Sequence, residues 1–404
     1  MALHDPTKPK SFKRKMNEKI RAFRRMIFKI VYALPAGIVF LCQIKFINIG
    51  VPSRIGHLAL ELDWFLKKKQ MGDFGQIYPI LLLPSSRSAN ATLYDIWRPH
   101  FIYVANPIMR YLFRPFTYFD CLRIDTIKSV SGDGEAADYF SVVNRWADRG
   151  PIFKVPDDLI NRGEQVLLDM GMPKGASIVC IHVRDGVYSP RDEFIHGFRN
   201  SDIGKCEMAI DAIIARGHWC VRMGEKGTPS LSPRHGLINY PDTDYKSEWM
   251  DIFLCVRTHF FIGNTSGLYA VSNIVDIPCV LLNMIPYGAC YGLKHHDISI
   301  PKNLVSAGGQ ELSIADIFDS DISHYRNKSQ FDSSGCTIIE NTPEQIHDVV
   351  VEMLDVLQGK NIRTAGDEML QTKFRQLLKK HHYCYGSHAR IGRDFLRNSI
   401  WPNP

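Results

Sequence analysis

Three short polar stretches in this 404-residue chain carry groups suited to holding a phosphate. Each follows an apolar, β-rich run. Arg184 and Asp185 come after "SIVCIHV", Arg222 and Gly224 sit in and just after "HWCVRM", and Asn264, Thr265, Ser266 and Gly267 end the run that begins "HFFIG". A guanidinium offers a planar fork of donors that stays charged. Hydroxyls add donors, glycine lets an anion approach the backbone, and the first turn of a helix leaves N–H groups unpaired. Together they suit the departure of a phosphate-bearing group, whose charge grows as its bond breaks. The loop "FRNSD" adds Arg199 and Asn200, with Ser201 or Asp202 placed to cap the helix that follows, and His182 shares a strand face with Arg184. Plainer roles stand beside these: Thr265 or Ser266 as an ordinary helix cap, Arg184 paired with Asp185 or Asp202, and His182 as a satisfied core residue. In the first half, His57 opens a helical stretch where its imidazole could take a proton from a hydroxyl, and Glu61 lies one turn later.

These residues meet only if the runs before them lie side by side. Short apolar runs alternate with amphipathic stretches, the pattern of parallel strands joined by crossover helices. "IKFINIG", "IYPILLLP" and "PHFIYVAN" predict strands in the first half, with a helix over "HLALELDWFLKKK". "SIVCIHV", "HWCVRMG", "HFFIG" and "PCVLLN" predict a second set, with helices at about residues 202–216, 246–256 and 266–275 between them. Between the halves, "VPDDLINRGEQVLLDMGMPKGA" predicts a capped helix and a Gly/Pro turn, a hinge near residues 165–176. The expected architecture is α/β: a basic arm over residues 1–43, a Rossmann-like acceptor domain over 44–170, and a Rossmann-like donor domain over 171–340. Helices in 341–404 are expected to return toward the first domain. The two doubly wound domains would face a cleft, with ligands at the carboxyl ends of their strands.

Composition is that of a globular protein, 45% hydrophobic and 23% charged. The formal charge of +7 belongs to the arm, because residues 1–29 hold ten Lys and Arg against Asp5 and Glu18. The remaining chain is close to neutral, so it is not expected to bind nucleic acid. The ten cysteines are scattered without a CxxC pair, which predicts reduced, packed thiols. The basic stretch runs into "MIFKIVYALPAGIVFLCQI", interrupted by Lys29, Pro35 and Gln43. Residues 8–34 are expected to lie on an anionic membrane surface at its cytoplasmic face, with Ile20, Phe23, Ile27, Val31 and Leu34 on one side. A single-pass span and packing of this stretch on the body are the alternatives.

No P-loop, G-x-G-x-x-G or G-x-S-x-G occurs, which counts against P-loop NTPases, standard dinucleotide enzymes and α/β hydrolases. Asp242 and Asp244 in "PDTDY" have the spacing of a divalent-metal pair but also good turn chemistry, and His295/His296 and His381/His382 lack a zinc-site spacing. No metal or cofactor is expected.

In order along the chain, "IHVRD", "FRNSDI", "VRMGE" and "IFLCVRTHFFIGNTSG" closely resemble a bacterial family assigned as glycosyltransferases and found with surface-polysaccharide genes. The likeness covers about residues 46–290, with a weaker echo in "ARIGRDFLRN". More distantly, "CIHVR", "HFFIGNTSG" and "IGVPSRIGHLALELDWFL" resemble the protein O-fucosyltransferase and α-1,6-fucosyltransferase group, which has the GT-B architecture. That resemblance implies that Arg184 contacts a donor pyrophosphate and that Thr265 and Ser266 hold phosphate. The chain departs from the group at Gly56-His57, where the group has Gly-Asn. The expected activity is metal-independent transfer of a sugar from a nucleotide sugar to a glycan or lipid-linked acceptor in cell-surface polysaccharide synthesis. A nucleotide-sugar epimerase or hydrolase, or a non-catalytic membrane-bound assembly subunit, would be the alternative.

Overall fold

The computed structural model describes residues 12–130, 136–187, 190–289, 292–360 and 362–401. Two parallel sheets organise it. The first half supplies β1 (Ile44–Asn48), β2 (Tyr78–Leu81), β3 (Ile102–Tyr103) and β4 (Arg123–Asp125), laid in the order β3-β2-β1-β4. The second supplies β5 (Ile178–Ile181), β6 (Trp219–Arg222), β7 (Leu237–Asn239), β8 (Phe261–Gly263), β9 (Cys279–Met284) and β10 (Ile298–Pro301). A short antiparallel pair, β11 (Asn303–Val305) and β12 (Thr337–Ile339), stands apart, and β13 (Arg390–Ile391) adds an edge to the large sheet. That sheet runs β13-β10-β9-β8-β5-β6-β7, all parallel.

Both faces of a parallel sheet are covered by helices, so its strands read as unbroken apolar runs. β5, β8 and β9 are buried along their whole length. Counting from β5, the chain lays two strands on one side and then, from β8, crosses to the other. The order therefore reverses between β5 and β8, and in such sheets ligands bind at the carboxyl ends of the strands on either side of the reversal.

The two sheets share one continuous apolar core. Its centre is the helix Ile55–Gln70, buried on all sides from Leu58 to Lys67 and packed against the short helix Tyr269–Ile274. Charged residues survive there through local partners: Lys67 donates to Asp63 at 2.7 Å, and the Tyr139 hydroxyl donates to the same carboxylate at 2.7 Å.

Two expected boundaries shift. The helix Asp157–Asp169, placed with the first domain, packs on Glu248–Arg257 of the second unit. The terminal helix Pro343–Leu357, expected to return to the first domain, lies instead on Glu207–Ala215 and against β9 and β10. Its apolar stripe of Ile346, Val349, Val350 and Met353 is what the second sheet buries. The return is made by residues 383–386, where Tyr383 and Gly386 carbonyls accept from Ala137 N–H at 2.9 Å and Asn144 Nδ2 at 3.0 Å.

The arm forms two helices, Phe12–Val31 and Ala33–Leu41, broken at Tyr32. Among the described residues no helix is long and apolar enough to cross a membrane. Residues 8–11 of the basic stretch lie outside the described residues. All described cysteines are free, and most are buried.

Candidate functional site

The carboxyl ends of β5 and β8 lie side by side at the reversal. Asn264, completely buried just after β8, ties these ends together. Its Oδ1 accepts the backbone N–H of Arg184 at 3.0 Å, while its Nδ2 donates to the Arg199 carbonyl at 3.2 Å and to Ser201 Oγ at 3.1 Å. Asn264 therefore holds the scaffold, with both ends of its amide already used. Arg199 donates its guanidinium to the Thr265 carbonyl, through Nε at 3.1 Å and through Nη2. The loop after β5 and the turn after β8 are thus stitched into one rim.

Arg184 is the most elaborately held cation on that rim. Its Nη2 donates to Glu193 Oε1 at 2.6 Å, and its Nη1 donates to the His196 carbonyl at 3.1 Å and to Asn200 Oδ1. Asn200 Nδ2 in turn donates to the other oxygen of Glu193 at 2.6 Å. The partner of Arg184 is thus Glu193, neither Asp185 nor Asp202. Asp185 instead closes a local turn by accepting Val187 N–H at 2.9 Å, and Asp202 caps the following turn at Gly204 N–H, 2.8 Å. Asp202 is thus the cap that the sequence suggests, and Asp185 serves its own turn.

The turn after β8 departs from expectation. The helix placed over residues 266–275 begins only at Tyr269 and runs six residues, too short to present a substantial dipole. The Thr265 hydroxyl, implied as a phosphate donor, points inward and donates to the Ile285 carbonyl at 2.8 Å. Ser266 Oγ sits 3.0 Å from His182 Nδ1. Burial pulls the His182 imidazole down to about 4, and Lys246 and Arg222 add to this, so it is neutral at pH 7. Gly267 meets the other half of the molecule. A Cβ there would lie 2.7 Å from the Gly56 nitrogen, so only glycine permits the contact.

Arg222 ends β6, in register with Ile181 of β5. It is 2% exposed and donates through Nη2 to Thr228 Oγ1. Its Nη1 has no hydrogen-bond partner, and the nearest carboxylate, Asp242, is 4.0 Å away. A buried guanidinium with an unused fork arm is costly and is a ready donor to an anion. Gly224, at φ +152, turns the chain just beyond. Asp242 Oδ2 accepts from Ser230 Oγ at 2.7 Å.

From the first unit, Gly56 brings His57 to the same seam. His57 Nδ1 lies 2.8 Å from Glu61 Oε1, and Glu61 is buried, its Oε2 accepting from Gly50 N–H at 2.7 Å and from the Thr126 hydroxyl. An ionised carboxylate only accepts, so Nδ1 is the donor in this contact and Nε2 is the ring nitrogen left over. Arg54, just ahead of the helix, reaches across to Asp192 at 3.1 Å.

Sequence reasoning missed four residues here: Arg54, Asp192, Glu193 and His196. The last has its Nδ1 buried without a partner, and burial, with help from Arg199, pulls its ring down to about 4. Asp192 ends a 3-10 turn, and Glu193 and His196 bound a single helical turn too short to show a periodicity. Away from this rim, His324 joins His381 and His382 in a cluster whose ligand atoms lie within 4.8 Å. His382 is committed: its Nδ1 accepts Lys379 N–H at 2.9 Å and its Nε2 faces Ser323 Oγ at 3.3 Å, whose own proton goes to the Ser320 carbonyl. That leaves His324 and His381 as the available pair.

No family model and no curated protein matches the chain. Among solved structures it is similar to a glycosyl transferase family 9 protein from Veillonella parvula, with 11% identity, 64% of this chain and 85% of that one covered, and a TM-score of 0.42. It is similar to E. coli ADP-heptose LPS heptosyltransferase II, with 13% identity, coverage of 78% and 98%, and a TM-score of 0.42. It is similar to the iron-containing dodecameric glycosyltransferase TibC of enterotoxigenic E. coli, with 14% identity, coverage of 59% and 57%, and a TM-score of 0.31.

Proposed function

We propose that the chain is a glycosyltransferase moving a sugar from a nucleotide-sugar donor to a glycan or lipid-linked acceptor at a membrane surface. The observation that carries this reading is the meeting of Arg184, Arg199, Ser266 and Gly267 where the strand order reverses, beside a histidine whose orientation a buried carboxylate fixes. The guanidinium groups of Arg184 and Arg199, with the unused arm of Arg222, suit a diphosphate. As the bond from the anomeric carbon to the diphosphate oxygen breaks, that oxygen gains charge, and these donors stabilise it more in the transition state than in the substrate. The acceptor oxygen forms the new bond to the anomeric carbon, and its proton passes to His57 Nε2, with Glu61 orienting the ring and balancing its new charge. Arginines supply the positive charge, so transfer proceeds without a divalent metal. The acceptor domain is the unit built on β1 to β4 and the donor domain the unit built on β5 to β10. The basic arm lies on an anionic bilayer, and the product joins a cell-surface polysaccharide.

The test is an assay of nucleoside diphosphate release by the full-length protein with a panel of nucleotide sugars, with and without membrane-extracted acceptors. Release that requires acceptor and survives EDTA supports the reading. Turnover of the donor alone points to a hydrolase or epimerase, and release that stops with EDTA contradicts metal independence.

A further inference from the structure

We propose that the cavity between the arm and the first sheet binds the terminal phosphate of a membrane lipid. The proposal takes the arm as lying on the bilayer, as above, and is independent of the transfer chemistry. The cavity has a volume of about 1030 Å³ and opens beside Asn48, the last residue of β1. Arg25 and Lys29 project into it from the arm helix, and Arg114, Tyr118 and Arg123 line the facing wall.

The cations differ in how far they are already neutralised. Arg123 is committed to Asp125 at 2.8 Å, Asp120 at 3.1 Å and the Thr117 carbonyl at 3.0 Å. Arg25 lies over the Tyr118 ring at 5.7 Å, a contact that leaves its charge intact. Arg25, Lys29 and Arg114 have no ion pair among the described residues. Three uncompensated positive charges around one cavity attract an anion of high charge density, and a terminal phosphate monoester or diphosphate carries more charge than a zwitterionic head group.

The rim decides what the phosphate is attached to. Ile30, which lines the cavity, is 70% exposed and Leu34, one turn later on the arm, is 80% exposed; the helix Pro107–Phe113 exposes Ile108 and Tyr111 as well. Such side chains in water are a liability unless something covers them. An amphiphile satisfies both parts at once: acyl or polyprenyl chains cover these side chains, and the phosphate enters the cavity. A free nucleotide or a nucleic acid would leave them bare.

The experiment is co-sedimentation of the full-length protein with phosphatidylcholine vesicles carrying either phosphatidic acid or phosphatidylserine, matched in surface charge. Preference for phosphatidic acid is expected. Lys29→Ala/Arg114→Ala should weaken association with phosphatidic acid about tenfold or more, since charge-assisted contacts to one phosphate are stronger than the attraction of a bare surface charge. Arg21→Ala/Arg24→Ala removes the same charge from the arm outside the cavity and should cost much less. Ala22→Trp narrows the cavity with no change of charge and should reduce the preference. All three variants alter exposed positions, and their circular dichroism should match the parent. Equal binding to the two vesicles, equal losses in the two double variants, or a silent Ala22→Trp would each overturn the proposal in favour of nonspecific attraction by the arm. Failure to bind either vesicle overturns it together with the arm reading, while acceptor-dependent release in the previous assay would stand.

Discussion

Arg184 is held by three side chains or carbonyls, so in the proposed transfer its charge would be aimed in advance and little reorganisation would be needed. The same geometry sets a competition, because a diphosphate must share the guanidinium with Glu193. Arg184→Ala should lower turnover at saturating donor by roughly a hundredfold or more, as loss of one charge-stabilising donor does elsewhere, and Arg184→Lys should recover little because a point charge cannot replace the fork. Steady-state kinetics on purified variants checks both. At the other side of the seam, His57→Ala should cost about 10² to 10⁴ in turnover. Glu61→Gln should cost less and shift the pH profile, since an amide can still hold the ring but cannot balance its charge. If Glu61→Gln left both rate and profile unchanged, His57 would not be acting through this dyad.

At the level of elements, everything turns on how closely the helix Ile55–Gln70 approaches the turn after β8. Gly267→Ala places a methyl 2.7 Å from a backbone nitrogen, and backbone yields less readily than a side chain. The variant should be destabilised by about 1 to 3 kcal/mol and lose activity beyond that, because the turn carrying Ser266 must move away from His57. Chemical denaturation alongside kinetics separates the two effects. This contact was not legible in the sequence: Gly267 stood out as part of a polar turn, and nothing in its neighbours named Gly56 as its partner. The strands were legible, because parallel strands covered on both faces must be continuous apolar runs, as "SIVCI" and "CVLLN" are. The helix after Gly267 was read as starting too early, since residues 264–268 carry capping side chains that are spent on tertiary bonds instead, Thr265 on Ile285 and Asn264 on Arg184. Glu193 and His196 are invisible for a simpler reason: a helix of four residues is too short to show a period, and its partners are fixed only when the sheet brings β5 and β8 together.

For the whole molecule, three histidines are kept neutral by burial. His182, His196 and His382 are each pulled down to about 4, from an ordinary value near 6.5. The unfolded chain therefore binds protons that the folded chain refuses. Their contribution to stability is complete above about pH 6.5 and is lost as pH falls toward 4. Urea denaturation at a series of pH values should show the unfolding free energy dropping through that window, and His382→Gln should flatten part of the drop. A flat profile would mean that these rings are protonated in the folded protein. At the same scale stands the central proposal, that the rim at the ends of β5 and β8 takes the diphosphate of a nucleotide sugar. Thermal unfolding of the full-length protein with a panel of nucleoside diphosphates and nucleotide sugars tests it most directly. A ligand at a hundred times its Kd adds about 2.7 kcal/mol of stability, so at least one nucleotide sugar should raise the melting temperature of the parent and raise that of Arg184→Ala by less. No stabilisation by any member of the panel, or equal stabilisation of parent and Arg184→Ala, would contradict the account.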